Sequence, residues 1–473
     1  MVAGAPRPFF TAPGAPAPRR FLLVSAAYPP SAEIGALRWQ KIAEAARTRG
    51  WTIDVIEIDP TDPSLRDPRL LQHVPPGARL YDVPLRDVPI QRAESAVRRA
   101  VRSLRGAGNG SPSGATSSGA TSSGATQAAT VGGGQGRAAQ PGAMGQLLRA
   151  YRTRVFFAQW NDWASRAAAL GASLAQDVAY DAILSSGPPH FAHDAARLIA
   201  EASGRPLVID LRDPWFSDDV EPPAMRGATW RARTAADERR AVDAASLVVV
   251  NTDSCRALMV DRYPARASHI ITIMNGADAD VQPAGALGET FVISHTGSLY
   301  SGRDPRILFR AVATVVQRLA LAPSDLHIHF MGDDVYEGQP LESLAADCGV
   351  GDFTVVESRR PRAEALALIQ SSAMVVLLPQ QHLHSIPGKV FEYVQLAAWP
   401  LVIADAGTAT ELLLRDTGAD VLAPHDVEGV AGAIERRYLA FRAGERPTPI
   451  NADGRFDRAR QTSLLLDALD TLA

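Results

Sequence analysis

The chain contains the stretch FLLVSAAYPP at residues 21–30, in which an apolar run passes directly into a turn-forming one. A short apolar run that ends at prolines is typical of a buried β-strand. A helical pattern follows at residues 36–49, with Gly50 placed to end it, and a second strand pattern lies at residues 51–56. Strand, helix and strand in this order predict a right-handed crossover between two parallel strands.

The same alternation continues through the rest of the chain in two series. After a helix predicted at residues 147–176, the first series has strand patterns at residues 182–185, 207–210, 247–250 and 270–273. A polar, glycine-containing break at residues 276–288 precedes the second series, whose strand patterns lie at residues 291–295, 326–330, 353–356, 374–378, 401–404 and 420–422. This alternation predicts an α/β fold of two doubly wound, Rossmann-like domains facing each other across a cleft.

These patterns also set the limits of the predicted domains. The first domain covers residues 19–275 and the second covers residues 289–455, while a last helix at residues 456–473 is expected to pack on one of them, the first being one option. Residues 1–18 are rich in Pro, Ala and Gly, which predicts a disordered leader and not a secretory signal. Residues 106–146 repeat small and polar residues, so they are expected to form a disordered insertion in the first domain.

Composition excludes several classes of protein. The chain has 473 residues, of which 46% are hydrophobic and 21% charged, and its net charge is −3, so a nucleic-acid partner is not expected. The two cysteines, Cys255 and Cys348, lie far apart without a histidine cluster, so neither a disulfide framework nor a zinc site is predicted. Because no apolar stretch is long enough to span a bilayer, a cytoplasmic location is expected.

An arginine-rich stretch at residues 91–105 leaves two interpretations open. Five arginines stand there among alanines and valines, in a pattern typical of a basic amphipathic helix. Such a helix either presents a solvated face or contacts an anionic membrane surface. The second interpretation would place the protein peripherally on the inner face of the membrane.

Four candidate residues follow three strands of the first domain, where the ligands of parallel sheets bind. Gly35 lies at the mouth of a helix, where it either lets a substrate approach the backbone or forms an ordinary turn. His190 either donates to a sugar hydroxyl or phosphate or acts as a helix cap. Arg212 and Asp213 either contact the acceptor or the transferring sugar, or Arg212 forms a structural ion pair with an aspartate. The predicted catalytic residues are therefore Asp213, Arg212 and His190.

The second domain offers candidates for holding a phosphate-bearing ligand. Gly297, Ser298 and Arg303 follow a strand and precede a helix, where backbone amides and an arginine favour a diphosphate. Further along, Pro387-Gly388-Lys389 opens a helix, so that Lys389 would face a phosphate and Glu392, on the same face, would accept the hydroxyls of a ribose. The alternative is a surface Lys–Glu pair. The helix after Thr408 is expected to present free amides to a phosphate.

These segments, in their order, resemble the family 4 retaining glycosyltransferases. The resemblance covers residues 20–105 and 147–440 and rests on the motifs SGPPH at 186–190, DLRDPW at 210–215, VNT at 250–252, MNGAD at 274–278, TGS at 296–298 and PGKVFEY at 387–393. It implies the GT-B fold, a nucleotide-sugar donor in the second domain, an acceptor in the first, and neither a metal nor a cofactor.

The resemblance also assigns roles to donor-binding residues. Arg303, assisted by Lys389, would bind the donor diphosphate, and Glu392 would bind the ribose. The sequence departs from the family at His384, where many members have a second glutamate, and at Ser298, where many have an arginine.

The function predicted from the resemblance is transfer of a sugar, with retention of configuration, from a nucleotide diphosphate sugar to an acceptor. The acceptor would be a sugar, a lipid-linked molecule or a small molecule, and the expected context is cell-surface polysaccharide or glycolipid synthesis. Two alternatives remain: a non-catalytic nucleotide-sugar-binding or scaffold protein on the same fold, and a sugar-nucleotide epimerase.

Overall fold

The computed structural model describes residues 6–59, 66–92, 94, 143–217, 227–279, 281, 288–299, 303–380 and 382–472. Within these residues the chain forms two large sheets, one of eight strands and one of six, together with a two-stranded hairpin. Apart from one short edge strand, both large sheets are parallel and are flanked by helices, as the alternating pattern predicts.

The first sheet has the strand order β1-β4-β3-β2-β5-β6-β7-β8. Its strands are β1 (Phe10–Thr11), β2 (Arg19–Ser25), β3 (Trp51–Asp59), β4 (Arg79–Pro84), β5 (Ala182–Gly187), β6 (Leu207–Leu211), β7 (Leu247–Val250) and β8 (Ile270–Thr272). Its α-helices are α1 (Ile34–Thr48), α2 (Ala143–Asp177), α3 (Phe191–Ser203), α4 (Ala228–Ala244) and α5 (Asp253–Arg262), and 3-10 turns lie at Pro68–His73 and Pro264–His269.

The second sheet has the order β13-β10-β9-β14-β15-β16, and β11 and β12 form the hairpin. Its strands are β9 (Phe291–Gly297), β10 (Leu326–Gly332), β11 (Val335–Tyr336), β12 (Gln339–Pro340), β13 (Thr354–Ser358), β14 (Met374–Leu377), β15 (Trp399–Ile403) and β16 (Asp420–Leu422). The helices are α6 (Arg306–Leu319), α7 (Leu341–Asp347), α8 (Arg362–Gln370), α9 (Lys389–Tyr393), α10 (Ala409–Leu414), α11 (Val427–Arg442) and α12 (Arg458–Asp470), with a 3-10 turn at Gly351–Phe353.

The central strands are buried along their whole length. Every residue of β5, β6, β7 and β14 is buried, which explains why these strands are mostly apolar in sequence. Strands covered by helices on both faces need this composition. The last helix, α12, belongs to the core of the first domain, because Leu465, Leu466 and Leu469 pack in one cluster with Trp39 and Trp51.

The N-terminal segment differs from the prediction. The sequence predicts a disordered leader at residues 1–18, but β1 pairs antiparallel with β4, and Ala12 and Ala17 are buried. The backbone N–H of Ala17 also donates to Thr52 Oγ1 at 2.7 Å. A small apolar segment without periodicity is therefore ordered by backbone hydrogen bonds to a sheet edge, which composition does not indicate. Residues 1–5 lie outside the described part of the chain.

Two other predictions fall largely outside the described residues. Of the arginine-rich stretch at residues 91–105, only residues 91, 92 and 94 are described, and of the predicted insertion at 106–146 only the last four residues are. Those four residues begin α2 and so belong to a helix, contrary to the prediction. Across the described ranges, none of the helices combines the length and the apolarity needed to cross a membrane.

Candidate active site

Loops at the carboxyl ends of the two sheets are in contact. Thr252, two residues after β7, donates from Oγ1 to the backbone carbonyl of His384 at 2.7 Å. Ser254 Oγ donates to the carbonyl of Leu383 at 3.0 Å. His384 lies in the loop between β14 and α9, so the strand ends of both domains line one crevice. Ligands of parallel α/β sheets bind at such strand ends.

Gly297 and Lys389 come together at the end of β9. Lys389 opens α9, and its Nζ donates to the backbone carbonyl of Thr296. Gly297 has φ +90°, which favours glycine, and a Cβ added there would collide with Lys389 Nζ and Cε. The glycine therefore allows the ammonium group to lie directly over the strand end. Lys389 is one of only two lysines in the sequence, the other being Lys41.

Arg303 is fixed over the same strand end. Its side chain is buried, and Nη1 donates to the carbonyl of Ser298 at 3.2 Å. The next residue is held by Gln380, which accepts from the N–H of Asp304 at 3.1 Å and donates to its carbonyl at 3.3 Å. The sequence places Gly297, Ser298, Arg303 and Lys389 in one predicted diphosphate site, and the structure brings these four residues together.

The charge of Arg303 lowers the preference of Lys389 for its charged form. Burial, followed by the positive charge of Arg303, lowers the pKa of Lys389 to about 8, and the carboxylates of Glu392 and Asp333 oppose this shift. Burial and the charge of Lys389 also lower the pKa of His295, on β9, to about 3, so this imidazole is neutral. An anion placed between Lys389 and Arg303 would relieve their repulsion and favour the protonated ammonium group.

Glu392 lies within the same short helix as Lys389 but has a different partner. Its Oε1 accepts from Nη2 of Arg362, at the start of α8, at 3.0 Å. Lys389 turns instead toward the carbonyl of Thr296, so the alternative of a simple surface Lys–Glu pair does not describe this helix. Gly388 occupies the position before α9. A ribose at Glu392 would have to share or replace the Arg362 contact.

Three of the amides around Thr408, where the sequence predicts free donors for a phosphate, already have partners in the protein. The N–H of Gly407 donates to Glu411 Oε2 at 3.0 Å. The N–H of Thr408 donates to the carbonyl of Asp405 at 3.3 Å, and that of Ala409 donates to the carbonyl of His382 at 3.3 Å. The Thr408 hydroxyl also donates to the Asp405 carbonyl at 2.8 Å. The protein thus satisfies these three donors itself, one of them through the carboxylate of Glu411.

Two arginines at this site were not among the predicted residues. Arg359 Nη2 donates to Ser298 Oγ at 3.0 Å and lies 3.6 Å from Asp333 Oδ1, and Arg362 contacts Glu392 as described above. The only sequence signal is the charge-rich run SRRPR directly after β13. Sequence alone does not place β13 beside β10 and so does not bring this run near residue 298.

In the first domain, His190 belongs to a stacked aromatic group. Its ring stacks on Trp215 with centroids 4.9 Å apart, and Nδ1 lies 3.3 Å from His193 Nε2, whose other nitrogen is 2.8 Å from Ser185 Oγ. Burial lowers the pKa of His190 well below its usual range and that of His193 to about 3. Both rings are neutral. Because the His190 side chain makes no capping hydrogen bond, the alternative of a helix cap is wrong.

Arg212 supports the loop that carries His190. Its Nε donates to the carbonyl of Gly187 at 3.3 Å, and Nη2 donates to that of Pro188. Burial lowers the pKa of Arg212, while Asp213 is the first of the nearby carboxylates that oppose this shift. Gly35 lies against the same guanidinium, since a Cβ at residue 35 would collide with Nη1.

The sequence allows a structural ion pair between Arg212 and an aspartate. In the structure, the buried ion pair of Asp210 is with Arg38 instead. Arg38 Nη2 lies 3.0 Å from Asp210 Oδ1, and both side chains are almost fully buried. Asp210 also accepts from the indole of Trp39 at 2.8 Å and from Ser186 Oγ at 3.0 Å. Asp210 is thus a structural residue, whereas its neighbours Arg212 and Asp213 are only partly buried.

Comparisons with curated proteins give relatives that are named glycosyltransferases. The chain is 26% identical over 215 residues to a D-inositol 3-phosphate glycosyltransferase of Corynebacterium kroppenstedtii, covering 42% of this chain and 47% of that one. It is 25% identical over 216 residues to the protein of that name from Thermobifida fusca, covering 43% and 49%. The chain therefore spans about half the length of the curated relatives it matches. A comparison with known protein families found no match.

Solved structures show the fold over nearly the whole chain. The Anabaena protein HepE, in complex with UDP and glucose, is 18% identical with a TM-score of 0.57, covering 96% of this chain and all of that one. Sucrose-phosphate synthase from Thermosynechococcus elongatus is 14% identical with a TM-score of 0.54, covering 96% of this chain and all of that one. The predicted GT-B fold of two Rossmann-like domains is confirmed.

Proposed function

We propose that this protein is a glycosyltransferase that moves a sugar from a nucleoside diphosphate sugar to an acceptor. The observation that carries the proposal is a pair of cations over the end of β9 beside the inter-domain crevice, the buried Arg303 and the partly buried Lys389. The glycosyltransferase names of the partial relatives support the class of reaction. The UDP and glucose in HepE support the class of donor.

The donor would bind mainly to the second domain. Lys389 and Arg303 would hold the diphosphate, with Gly297 and Ser298 beneath it and Gly388 next to it. Glu392 would accept hydrogen bonds from the ribose hydroxyls. As the bond between the sugar and the diphosphate breaks, negative charge grows on the leaving group, and cations already fixed in place stabilise that charge.

The first domain would bind the acceptor and the transferring sugar. His190 is held neutral by burial, so it can exchange a hydrogen bond with a sugar hydroxyl without adding charge. Arg212 would act as a positioning residue, because its guanidinium holds the carbonyls of Gly187 and Pro188 just before His190. Asp213 would face the acceptor beside them, and Gly35 would leave room for Arg212.

Stereochemistry, metal use and the acceptor are further parts of the proposal that rest on the resemblance. We expect retention of anomeric configuration, with the donor phosphate accepting the acceptor's proton. We expect a sugar, lipid-linked or small-molecule acceptor and the same transfer rate with and without EDTA, since Lys389 and Arg303 would supply the charge stabilisation. A role in cell-surface polysaccharide or glycolipid synthesis and a membrane contact through residues 91–105 remain predictions.

Titration of the purified protein with UDP, GDP and ADP tests the donor site. We expect one of the three to bind, and Lys389→Ala to weaken its affinity by about ten- to hundredfold, since hydrogen bonds to charged groups contribute about 1.5–3 kcal/mol. Lys41→Ala is the matched control, because Lys41 pairs with Glu44 on α1 and is the only other lysine. Binding of none of the three nucleotides, or equal affinities for both variants and the wild type, would remove the proposed site.

A non-catalytic nucleotide-sugar-binding protein is the alternative, and it makes the same binding prediction. The corresponding nucleotide sugars separate the two. A transferase should release nucleoside diphosphate from its donor when a suitable acceptor is present, and slowly to water without one. Tight nucleotide binding with no release under either condition would favour the alternative.

A further inference from the structure

Residues 358–362, which we call the arginine segment, lie at the end of β13 and carry Arg359, Arg360 and Arg362. The strand register places this segment beside the proposed diphosphate site. Gly332 of β10 pairs with Gly297 of β9 on one side and with Ser358 of β13 on the other. Ser298, Asp333 and Arg359 directly follow these three paired residues. They therefore lie side by side at the end of the sheet.

Side-chain contacts join the three residues after the strands. Arg359 Nη2 donates to Ser298 Oγ at 3.0 Å, and the same nitrogen lies 3.6 Å from Asp333 Oδ1. Asp333 Oδ2 in turn accepts from the N–H of Leu299 at 3.1 Å. The guanidinium of Arg359 is thus drawn across two strands to the residue next to Gly297, over which Lys389 lies.

The charges at this point favour an anion. Four cationic side chains, those of Arg303, Lys389, Arg359 and Arg362, surround two carboxylates, Asp333 and Glu392. A nucleoside diphosphate sugar carries one negative charge on each of its two phosphates, and together these balance the excess positive charge of this group. A guanidinium has five N–H donors in a planar fork suited to phosphate oxygens, so it can bind a phosphate while keeping its contact with Ser298.

We propose that Arg359 binds the diphosphate of the donor, as a third cation beside Arg303 and Lys389, and that Ser298 orients it. This inference rests on the proposed function and adds a residue from a different strand to the donor site. Asp333 holds the guanidinium in the ligand-free protein, and the diphosphate replaces that carboxylate as its partner. Position 298 thus needs no arginine of its own, because Arg359, which follows β13, places its guanidinium there.

The neighbouring Arg360 provides a matched control. It belongs to the same segment and has the same charge, but its guanidinium points to Glu357, with Nε 3.4 Å from the carboxylate. Arg359 and Arg360 are 72% and 51% exposed, so replacing either one with alanine should leave the fold intact. The two variants therefore differ in which carboxylate loses its partner and not in net charge.

The test compares probes with and without the diphosphate. Wild type, Arg359→Ala and Arg360→Ala are titrated with inorganic pyrophosphate, with the nucleotide among UDP, GDP and ADP that binds most tightly, and with its nucleoside. We expect Arg359→Ala to lose about tenfold or more in affinity for pyrophosphate and nucleotide but none for the nucleoside. Arg360→Ala should match the wild type, and Ser298→Ala should show a smaller loss in the same direction as Arg359→Ala.

Each other outcome has a definite meaning. Equal affinity of wild type and Arg359→Ala for pyrophosphate and nucleotide would overturn the inference, and so would equal losses in the Arg359 and Arg360 variants. A loss that extends to the nucleoside would assign Arg359 to the base instead and would also overturn it. If the wild type binds pyrophosphate but none of the three nucleotides, the proposed function fails while Arg359 is still tested by pyrophosphate.

Discussion

Lys389 is the side chain on which the proposed chemistry depends most. Among 473 residues the chain has two lysines, and the rest of its cationic residues are arginines. An ammonium group is a compact charge whose pKa shifts readily on burial, whereas a guanidinium stays charged. The surroundings of Lys389 lower its pKa to about 8, so the charge of this one cation can change within the range where enzymes are assayed.

A pH dependence of nucleotide binding follows from this shift. Well below pH 8 Lys389 is mostly protonated before the nucleotide arrives, so affinity should change by only about twofold between pH 7 and 8. Above pH 8 binding must take up a proton, and affinity should fall by up to about tenfold per pH unit. Calorimetric titrations at several pH values measure this directly.

The variant Lys389→Arg serves as the control for the pH effect. An arginine stays protonated throughout this range, so its nucleotide affinity should not fall between pH 8 and 9.5. The same decline in the variant and in the wild type would show that another group titrates, and would contradict the role of Lys389.

The helix α1 is placed so that its first turn touches the loop after β6. Gly35 stands in that turn against the guanidinium of Arg212, which in turn holds the carbonyls of Gly187 and Pro188. The sequence indicates a glycine at a helix start but not its neighbour, because residues 35 and 212 come together only through the strand order of the sheet. A close approach of this kind is a property of two elements and not of either motif.

Replacing Gly35 with alanine should therefore reduce transfer without preventing folding. The added methyl group displaces the Arg212 guanidinium, and the loop before His190 loses its hydrogen bonds. We expect turnover to fall by about tenfold or more, since a displacement of about 1 Å can have a larger effect than this. Nucleotide affinity should be unchanged, because the proposed donor site lies on the other domain. Gly432→Ala in α11, where an added Cβ meets open space, is the control. Equal turnover in both variants would contradict the proposed role of the first domain's loop.

Strand patterns predict the elements well wherever burial is complete. The runs at residues 207–210, 247–250 and 374–378 are strands because both sheet faces are covered, which leaves apolar composition as the signal. The strand β4 has polar residues between its apolar ones and lies in a proline-rich region, so no pattern indicates it. The edge strand β1 pairs with β4, and its own two residues give no pattern that indicates this.

The candidate site could be predicted only in part, for a related reason. The predicted group of Gly297, Ser298, Arg303 and Lys389 follows strand ends that a parallel sheet must bring to one edge. Arg359 and Arg362 follow β13, and the sequence does not reveal which strand lies beside it. The N–H groups of Thr408 and Ala409 donate to backbone carbonyls that the residue spacing does not indicate. Local chemistry is readable from sequence, while register and loop hydrogen bonds are not.

The two domains are joined at the crevice and again behind it. In the crevice, Thr252 donates to the carbonyl of His384 and also accepts from the N–H of Cys255 at 3.0 Å as the cap of α5. Behind it, Asp278 pairs with Arg458 at 2.6 Å, and Ala277 bridges to Asp457 where the chain returns to the first domain. The chain thus crosses from one domain to the other twice, near residue 277 and near residue 457, and these two segments contact each other.

Thr252→Val removes the hydroxyl that serves both contacts and should reduce stability. We expect the free energy of unfolding to fall by about 1–2 kcal/mol, chiefly from loss of the helix cap. Thr252→Ser, which keeps the hydroxyl, should lie close to the wild type. Urea denaturation monitored by tryptophan fluorescence measures both. Wild-type stability in Thr252→Val, or a loss confined to Thr252→Ser, would show that the methyl group and not the hydroxyl matters.

The central claim is that the diphosphate of a nucleotide lies between the domains on Lys389 and Arg303. A crystal structure with the nucleoside diphosphate that binds most tightly tests it most directly. We predict phosphate oxygens within about 3 Å of Lys389 Nζ and of the Arg303 guanidinium, with the ribose at Glu392. A nucleotide bound at a different edge of either sheet, with both of these cations turned away from it, would contradict the account.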